Sequence, residues 1–397
     1  MKPASPHPTS LRLALLAPLV APIAPPYLGG AQALLRDLVA GLAARGHSVT
    51  LYATRGSQVP GARTIDLGIS ADAFHGARVQ VTTDGQSASS HEALDATFFA
   101  QADAFLRMAL HIAGHADEYD LVHAHAYDWP AFAFGALLPL PVLQTLHAPA
   151  TSRAISTTLR TLAADAPNTR LSTVSRACAA TYAPDVAIDT IVANGVDLAA
   201  IPFGPRPDAN PEPYLLFAGR MAPEKGVVDA LAIAARAGRR ILVAGASYDD
   251  AYFTGQVRPA LDTLEAAGRA EYLGVVPRER LWRLMAGAEA VLCPIQWEEP
   301  FGLVACEAQA AGAPVIGYAR GALPDVVADG VTGYLVPPGD LDAVVAAVAR
   351  VGGLDRAACR AHIAERFSLE AVLDGYERVY SEMLATSPSP SDGAAPA

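Results

Sequence analysis

The sequence predicts an α/β protein with two doubly wound, Rossmann-like domains that face a common cleft. Short apolar runs alternate with longer helical patterns along most of the chain, as expected for parallel sheets with helices on both faces. The alternation stops at a proline-rich segment near the middle of the chain and then begins again. A length of 397 residues suits two or three domains, at roughly 150 residues per domain.

The first domain is expected over residues 11–200. Its predicted strands are 11–17, 48–53, 121–124, 141–146, 170–174 and 190–192. Its predicted helices are 31–45, which Gly46 ends, and 94–113. Residues 1–10, before the first strand, are expected to be disordered.

An apolar run over residues 11–24 resembles a signal peptide at first sight. Pro18 and Pro22 interrupt it, Pro25 and Pro26 follow it, and it is too short to cross a bilayer as a helix. A buried first strand followed by a loop is the favoured interpretation. No other stretch approaches ~20 apolar residues, so no integral membrane segment is expected.

A second domain is expected after a linker over residues 201–213, where five of thirteen residues are proline. This domain spans 214–367, with predicted strands at 214–218, 240–244, 270–273 and 290–294 and helices at 226–237 and 278–288. A last helix over 368–385 is expected to pack back toward the first domain. The Ser-, Pro- and Ala-rich tail, 386–397, is expected to be disordered.

Charge and cysteine content narrow the class of protein. A formal net charge of −11 disfavours nucleic acid as the main partner. The four cysteines form no C-x-x-C pair, which argues against a zinc site and against a disulfide framework. They are Cys178, Cys293, Cys306 and Cys359. This pattern fits the reducing cytoplasm, and the sequence indicates no oligomeric state.

The strongest functional signal lies in residues 294–308, where Glu299 and Glu307 stand eight positions apart. Pro300 suits the first turn of a helix. A helix starting near Phe301 would leave three backbone N–H groups unpaired, those of Phe301, Gly302 and Leu303. Free N–H groups and the helix dipole together bind anions. With Glu307 about two turns into the helix, the two carboxylates would bracket an anion such as the diphosphate of a sugar nucleotide.

Two basic residues, Arg220 and Lys225, flank a turn after the strand that opens the second domain. A guanidinium and an ammonium at the carboxyl end of a strand can neutralise a diphosphate. The alternative is a solvated basic turn, and the glutamate pair downstream favours phosphate binding. Glu307 is placed to accept hydrogen bonds from the vicinal hydroxyls of a ribose. The alternative is an exposed helix carboxylate, which the apolar surroundings disfavour because a buried carboxylate without partners is costly.

Gly29 and Gly30 precede the first helix, where glycine permits a close approach of the backbone to a ligand. His123 and His125 point the same way from a strand, which could suggest a metal pair. No third ligand is evident, so a packed or hydrogen-bonded role is preferred and no metal is expected. Asp340 and Asp342 match the letters of an Asp-x-Asp metal motif, but an N-cap role suits Asp340 better.

Several motifs occur in a defined order. Tyr27–Gln32 precedes a helix that ends in Ala44–Thr50, and Gly219–Gly226 opens the second half. The Glu-x7-Glu pair is followed by Arg320–Asp325 and Gly330–Val336. In this order the motifs resemble glycosyltransferase family 4, retaining enzymes with the two-domain GT-B fold, over roughly residues 11–385. The sequence departs from the family at Ala322 and Asp325, where glycine and glutamate are usual.

The resemblance implies site residues. Arg220 and Lys225 would hold the donor diphosphate, and Glu299 would lie near the transferred sugar, a role that Glu298 could also take. Gly29 and Gly30 would lie by the donor phosphates and the acceptor. His147, in a Thr-x-His context, would be the active-site histidine, with His125 second.

The resulting expectation is a retaining glycosyltransferase that moves a hexose from a nucleoside diphosphate sugar to an acceptor hydroxyl, without a cofactor. The proton of the acceptor would pass to a donor phosphate oxygen, as the resemblance implies. A sugar-nucleotide epimerase of the same fold and a non-catalytic sugar-nucleotide-binding protein are the alternatives. Donor base, sugar and acceptor carry no signature, although base contacts near residues 275–277 are expected.

Overall fold

The computed structural model describes residues 10–25, 27, 29–74, 91–207, 212–247 and 249–386, with the backbone alone for 91–95. The ends predicted to be disordered lie outside these ranges, except Ser10 and Thr386, as do residues 208–211 of the predicted linker. Thr386 ends the last helix, so assigning it to a disordered tail was wrong.

The first half of the chain forms a parallel sheet of seven strands within the described residues, in the order β3-β2-β1-β4-β5-β6-β7. The strands are β1 (Arg12–Leu16), β2 (Ser48–Tyr52), β3 (Arg63–Ile65), β4 (Leu121–Ala124), β5 (Val142–Leu146), β6 (Thr169–Thr173) and β7 (Thr190–Ile191). The helices are α1 (Gly30–Ala44), α2 (His91–Gly114), α3 (Trp129–Gly135), α4 (Arg153–Asp165) and α5 (Arg176–Tyr182).

The second half repeats this design in a parallel sheet of six strands within the same described ranges, in the order β10-β9-β8-β11-β12-β13. The strands are β8 (Tyr214–Ala218), β9 (Arg240–Ala244), β10 (Ala270–Gly274), β11 (Ala290–Cys293), β12 (Val315–Tyr318) and β13 (Gly333–Val336). The helices are α6 (Val227–Ala237), α7 (Asp250–Tyr252), α8 (Arg258–Ala266), α9 (Arg278–Gly287), α10 (Leu303–Ala310), α11 (Leu323–Val326), α12 (Leu341–Arg350), α13 (Arg356–Arg366) and α14 (Leu369–Thr386).

The predicted doubly wound architecture is confirmed. In both sheets the first strand of the half lies in the middle, and the chain runs outward first to one edge and then to the other. The order therefore reverses between β1 and β4 and again between β8 and β11. The carboxyl ends of the strands at such a switch point border a crevice that binds ligands.

The last helix, α14, packs on the first sheet although it follows the second. Gly41 of α1 lies against Leu373 of α14, where a Cβ on Gly41 would approach Leu373 Cδ1 to 2.8 Å. Buried Tyr376 and Tyr380 of the same helix join the apolar cluster beneath β1 and α1. Arg45 adds an ion pair to Glu377 at 2.8 Å.

The first residues of the predicted linker pack against the second half of the chain. Ile201 is buried, and the Gly204 amide donates to the Ala311 carbonyl at 2.9 Å. Arg356 Nε donates to the carbonyl of Gly204 at 2.7 Å. Residues 201–204 therefore pack on the second half, and the extended linker predicted from residue 201 was wrong for them.

Most predicted elements occur with ends shifted by one to three residues, and several elements were not predicted. The unpredicted ones include β3, α3, α4, α5, β12 and β13. Within the described parts of the chain, no helix combines the length and the apolar character needed to cross a membrane.

Candidate active site

Two helix N-termini meet in the cleft, one from each half of the chain. Gly30 opens α1, and Leu303 opens α10. A Cβ on Gly30 would lie 2.9 Å from Leu303 Cδ1, so the two termini are almost in contact and only glycine fits without displacing that side chain. Both termini present the positive end of a helix dipole, which favours an anion between or beside them.

The start of α10 differs from the prediction. The helix begins at Leu303, because Gly302 takes φ 91° as its N-cap, so Pro300 and Phe301 lie before the helix. Glu307 accordingly lies just over one turn into the helix, and the prediction of about two turns was wrong. Among the described residues, no acceptor faces the N–H groups of Leu303 and Val304.

Phe301, predicted to bind the donor, has its side chain in the core. It is 3% exposed and packs edge-on against Phe367, with ring centroids 5.5 Å apart. Its neighbour Pro300 accepts a hydrogen bond at 2.6 Å from Ser175 Oγ at the start of α5. Phe301 therefore anchors the loop, and only its backbone remains available to a ligand.

Glu299 lies at the centre of a hydrogen-bonded group in the cleft. Its Oε2 accepts from Lys225 Nζ at 2.5 Å and from Trp297 Nε1 at 2.8 Å. Lys225 Nζ also lies 5.2 Å from the centroid of the Trp297 ring. The lysine, which ends a short 3-10 turn over Pro223–Lys225, thereby joins two of the predicted site segments.

The loop that carries Glu299 is held by the Arg320–Asp325 segment. The Ala322 amide donates to the Glu299 carbonyl at 2.8 Å. Gly321 has φ 55°, and a Cβ on it would lie 2.3 Å from the Glu299 nitrogen. The close approach requires glycine, so this segment positions the catalytic candidate as well as starting a helix.

Glu298 faces away from the Lys225 group. Its carboxylate accepts from Arg320 Nε at 3.2 Å and from the Gly321 amide at 3.2 Å, and its side chain is 53% exposed. Of the two neighbouring glutamates, Glu299 is therefore the one that contacts the other predicted site residues.

Arg220 lies beside the same group and pairs with Glu224 Oε1 at 2.9 Å, while its own side chain is 29% exposed. The two predicted cations thus each have a carboxylate partner. An incoming diphosphate would share both cations with those carboxylates.

Glu307 is buried and contacts one cation. Arg278 Nε donates to Glu307 Oε1 at 3.2 Å. Burial raises the pKa of Glu307, and the positive charge of Arg278 opposes that shift. The Trp282 side chain also lowers the pKa of Glu307, and Arg278 is the one ion-pair partner of Glu307 among the described residues.

The three predicted histidines cluster at the carboxyl ends of β4 and β5. His125 Nδ1 and His147 Nε2 are 2.8 Å apart, so they share one proton. Burial lowers the pKa of His147 to about 4, so this imidazole is neutral at pH 7. His123 contacts Tyr380 Oη at 2.7 Å and Thr145 Oγ1 at 2.8 Å, which is the hydrogen-bonded role expected for it.

Three polar residues near the cleft were not singled out from the sequence: Asp37, Arg278 and Asp128. Asp128 Oδ1 accepts from Gln101 Nε2 at 2.9 Å, whereas its buried Oδ2 has no partner within the described ranges. Burial raises the pKa of Asp128 to about 6. The sequence did carry a signal for Asp128. It lies within residues His125–Trp129, just beyond β4, and therefore at the same strand end as His125.

No group of three or more His, Cys, Asp or Glu residues suited to a metal ion occurs in the part of the chain that the structure describes. Asp340 caps α12, where its Oδ1 accepts from the Ala343 amide at 2.9 Å, as predicted.

Comparisons with known proteins agree with this architecture. The model of Glycosyltransferase Family 4 matches residues 28–200, and the model of Glycosyl transferases group 1 matches residues 205–359. Among solved structures, sucrose-phosphate synthase from Thermosynechococcus elongatus superposes with a TM-score of 0.73 at 22% identity, covering 94% of this chain and 99% of that one. HepE of Anabaena, solved with UDP and glucose, superposes with a TM-score of 0.67 at 16% identity, covering 95% and 100%.

Curated relatives match over part of their length. Glycogen synthase of Mycobacterium tuberculosis is 30% identical over 254 residues, which is 58% of this chain and 60% of that protein. D-inositol 3-phosphate glycosyltransferase of Mycolicibacterium smegmatis is 34% identical over 217 residues, or 52% and 49%. The aligned region thus spans about half to 60% of the curated relatives it matches.

The two facing sheets and the cleft between them define the GT-B class of fold. With both halves of the chain matched by family models in the expected order, the chain belongs to glycosyltransferase family 4.

Proposed function

We propose that this protein is a retaining glycosyltransferase that moves a hexose from a nucleoside diphosphate sugar to an acceptor hydroxyl. The observation that carries the proposal is the contact of Lys225 with Glu299 at 2.5 Å, in a cleft where two helix N-termini meet. A cation, a carboxylate and unpaired N–H groups in one place suit a ligand with an anionic part next to a hydroxyl-rich part.

The diphosphate would lie against the N–H groups of Leu303 and Val304, with Arg220 and Lys225 beside it. The N-terminus of α1 at Gly30 adds a second positive dipole end. Glu307 would accept hydrogen bonds from the ribose diol. The solved complex of HepE with UDP and glucose supports testing UDP-glucose first.

Glu299 would bind the transferred sugar. Its Oε2 is already engaged by Lys225 and Trp297, so its orientation is set before the sugar arrives. Pre-set orientation of this kind lowers the entropic cost of reaching the transition state. The negative charge of Glu299 would also stabilise positive charge near the anomeric carbon.

The reaction breaks the bond between the anomeric carbon and the leaving phosphate oxygen and forms a bond from the acceptor oxygen to the same carbon. The acceptor attacks from the face that the diphosphate leaves, so the anomeric configuration is retained. Its proton passes to a phosphate oxygen of the donor. Arg220, Lys225 and the α10 N-terminus stabilise the developing negative charge, which is where preorganised groups contribute most.

The acceptor would enter beside Gly29, His125 and His147, at the ends of β4 and β5. A neutral His147 can hydrogen-bond a hydroxyl without adding positive charge beside the anomeric carbon. Arg220 and Lys225 supply the charge neutralisation that metal ions supply elsewhere, so we propose that the reaction needs no metal and no cofactor. We also propose a cytoplasmic location, in keeping with four cysteines that are all buried thiols.

The test incubates the purified protein with UDP-, GDP- and ADP-hexoses and a panel of hydroxyl acceptors, in the presence and absence of EDTA. Mass spectrometry detects the glycosylated product, and NMR of the anomeric proton gives its configuration. The expected result is a retained product that forms equally well with EDTA. An inverted product would overturn retention, and an epimerised donor formed without acceptor would indicate the epimerase. Donor binding with no turnover on any acceptor would indicate a binding protein.

A further inference from the structure

Arg278 joins the two halves of the chain at the donor site. It is the first residue of α9, and its Nη1 donates to Asp37 Oδ2 of α1 at 2.6 Å. Its Nε donates to Glu307 Oε1 of α10 at 3.2 Å. One guanidinium thus contacts a carboxylate in each half, and one of these is the proposed ribose ligand.

The surroundings keep this guanidinium in one orientation. Its Cζ lies 4.5 Å from the centroid of the Trp282 ring, and Trp282 is 5% exposed. A guanidinium that is stacked on an aromatic ring and hydrogen-bonded along two edges has little side-chain freedom left to lose when a nucleotide binds at Glu307. The Arg278 side chain itself is 20% exposed.

Both carboxylates depend on this cation. The side chains of Asp37 and Glu307 are 7% and 12% exposed, so each would be costly to bury without a partner. Burial acts to lower the pKa of Arg278, but Glu307 and Asp37 raise it, and the net shift is upward. Asp37 has a second contact, Arg36 Nη1 at 2.9 Å, which lies on the same helix and does not cross the cleft.

We propose that Arg278 is a positioning residue that couples nucleotide binding at Glu307 to closure of the cleft, with Asp37 as its anchor on the first domain. The inference rests on the function proposed above. Arg278 contacts Oε1 of Glu307, and its positive charge favours the ionised form of that carboxylate, which would accept from the ribose. Its bond to Asp37 exists only when α1 lies against the second domain, so closure and a correctly held Glu307 stabilise each other.

Coupling of this kind makes a residue outside the nucleotide site affect nucleotide affinity. Asp37 lies two helical turns beyond Gly30 and has no proposed contact with the donor. Removing its charge leaves the closed arrangement without one of its cross-cleft contacts. A ligand that binds better to the closed arrangement should then bind more weakly. The loss equals the ratio of the closure equilibrium constants of the wild-type protein and the variant.

The test is isothermal titration calorimetry with UDP, GDP and ADP, using whichever binds the wild-type protein most tightly. We expect Asp37→Asn to weaken that affinity about tenfold, within the roughly 5–150-fold range typical of coupling between sites. Arg278→Gln should weaken it at least as much. The double variant should bind no more weakly than Arg278→Gln alone, because both changes remove the same connection. The matched control is Arg36→Gln, which removes the other partner of Asp37 and should leave the affinity unchanged.

A nucleotide without the ribose diol distinguishes the effect of Arg278 on Glu307 from its effect on closure of the cleft. For the 2′,3′-dideoxy analogue of the same nucleotide, which lacks the ribose diol, Arg278→Gln should cost less affinity than it does for the parent nucleotide. Thermal unfolding of each variant without ligand checks that it folds. If Asp37→Asn does not fold, Arg278→Lys serves instead, since it keeps the charge but cannot contact both carboxylates.

Two results would contradict the inference and leave the proposed function standing. If Asp37→Asn binds the nucleotide as tightly as the wild type, Asp37 does not contribute to binding and the coupling is wrong. If the losses in the double variant add fully, Asp37 and Arg278 act independently. Failure of the wild-type protein to bind any of the three nucleotides would overturn the proposed function together with this inference, so the two failures are distinguishable.

Discussion

Lys225 Nζ and Glu299 Oε2 lie 2.5 Å apart, although 74 residues separate them in the chain. The contact joins the turn after β8 to the loop after β11, which are neighbouring strands of the second sheet. Both side chains are largely buried, with 20% and 11% exposed. Such a pair has few ways to rearrange, so its ammonium is well placed to meet a developing negative charge.

Removal of this ammonium gives the first prediction. Lys225→Ala should lower turnover by about 10²–10³-fold, the loss typical when one preorganised charge-stabilising group is removed. Initial rates at saturating donor and acceptor measure the effect. Arg236→Ala is the control, because Arg236 also pairs with a carboxylate, Asp342 at 2.5 Å, but on the surface. Equal rates for the wild type and Lys225→Ala would exclude Lys225 from the catalytic group.

The neighbouring glutamates predict distinct kinetic defects. Glu299→Gln should lower kcat more than it changes nucleoside diphosphate affinity, because we propose that Glu299 contacts the transferred sugar. Glu307→Gln should weaken nucleoside diphosphate binding about tenfold or more, since hydrogen bonds to a charged group contribute about 1.5–3 kcal/mol. Glu298→Gln should match the wild type, because Glu298 is exposed and faces Arg320. Calorimetry and steady-state kinetics on the three variants distinguish these roles, and a kcat defect in Glu298→Gln would reverse the assignment.

Sequence patterns predicted the fold well because its central strands are largely buried. Every residue of β4, β5, β8, β11 and β12 is buried, and these strands are mainly apolar runs bounded by turns, with polar exceptions such as His123 in β4 and Gln144 in β5. The strand β12 was nevertheless missed, because Gly317 weakens its pattern. That glycine is required, since a Cβ there would lie 2.5 Å from the Cys293 carbonyl on β11.

Site residues were predictable where they belong to one short sequence motif. They were not predictable where contacting residues lie far apart in the chain. The spacing of Glu299 and Glu307 is a property of one segment, so it is visible in the chain. The partner of Glu307 is Arg278, which in turn contacts Asp37 across a separation of 241 residues. No local pattern marks such a bridge, because it depends on how the two domains meet.

Backbone geometry at Gly321 predicts a stability and activity defect. Gly321→Ala combines a left-handed φ of 55° with a Cβ placed 2.3 Å from the backbone nitrogen of Glu299. The left-handed conformation alone costs about 1–2 kcal/mol for a residue with a Cβ, and the backbone contact adds to it. The Glu299 loop must move, so both the unfolding temperature and kcat should fall.

Gly330→Ala is the matched control for this variant. Gly330 has φ 73° but nothing within 4 Å of an added Cβ. Only the conformational cost applies there, and kcat should equal that of the wild type. Differential scanning calorimetry and initial rates measure both variants. Similar kcat values for the two variants would show that the contact with the Glu299 loop is unimportant.

The pKa of Glu307 predicts a pH effect in Arg278→Gln. Burial raises the pKa of Glu307 above its ordinary value of 4.5, and Arg278 opposes the rise. Without Arg278 the pKa should rise further. Because we propose that the ionised carboxylate binds the ribose, affinity should be present above this pKa and be lost as pH falls through it. Nucleotide titrations between pH 5 and 8 should show the loss at a higher pH in the variant, and parallel profiles would contradict this role of Arg278.

The histidine cluster predicts that folding stability falls in mild acid. Burial lowers the pKa of His147 from 6.5 to about 4. Between these values the unfolded chain binds more protons than the folded one, so stability rises with pH in this window. The contribution is fully present above about pH 6.5 and is lost as pH falls toward 4, with a total of about 3 kcal/mol. Urea unfolding from pH 4.5 to 7.5 measures it. His147→Gln should reduce the slope but not abolish it, because burial also lowers the pKa values of His123 and His125, whereas His115→Gln, outside the cluster, should leave the slope unchanged. If His147→Gln keeps the wild-type slope, other groups cause the acid sensitivity.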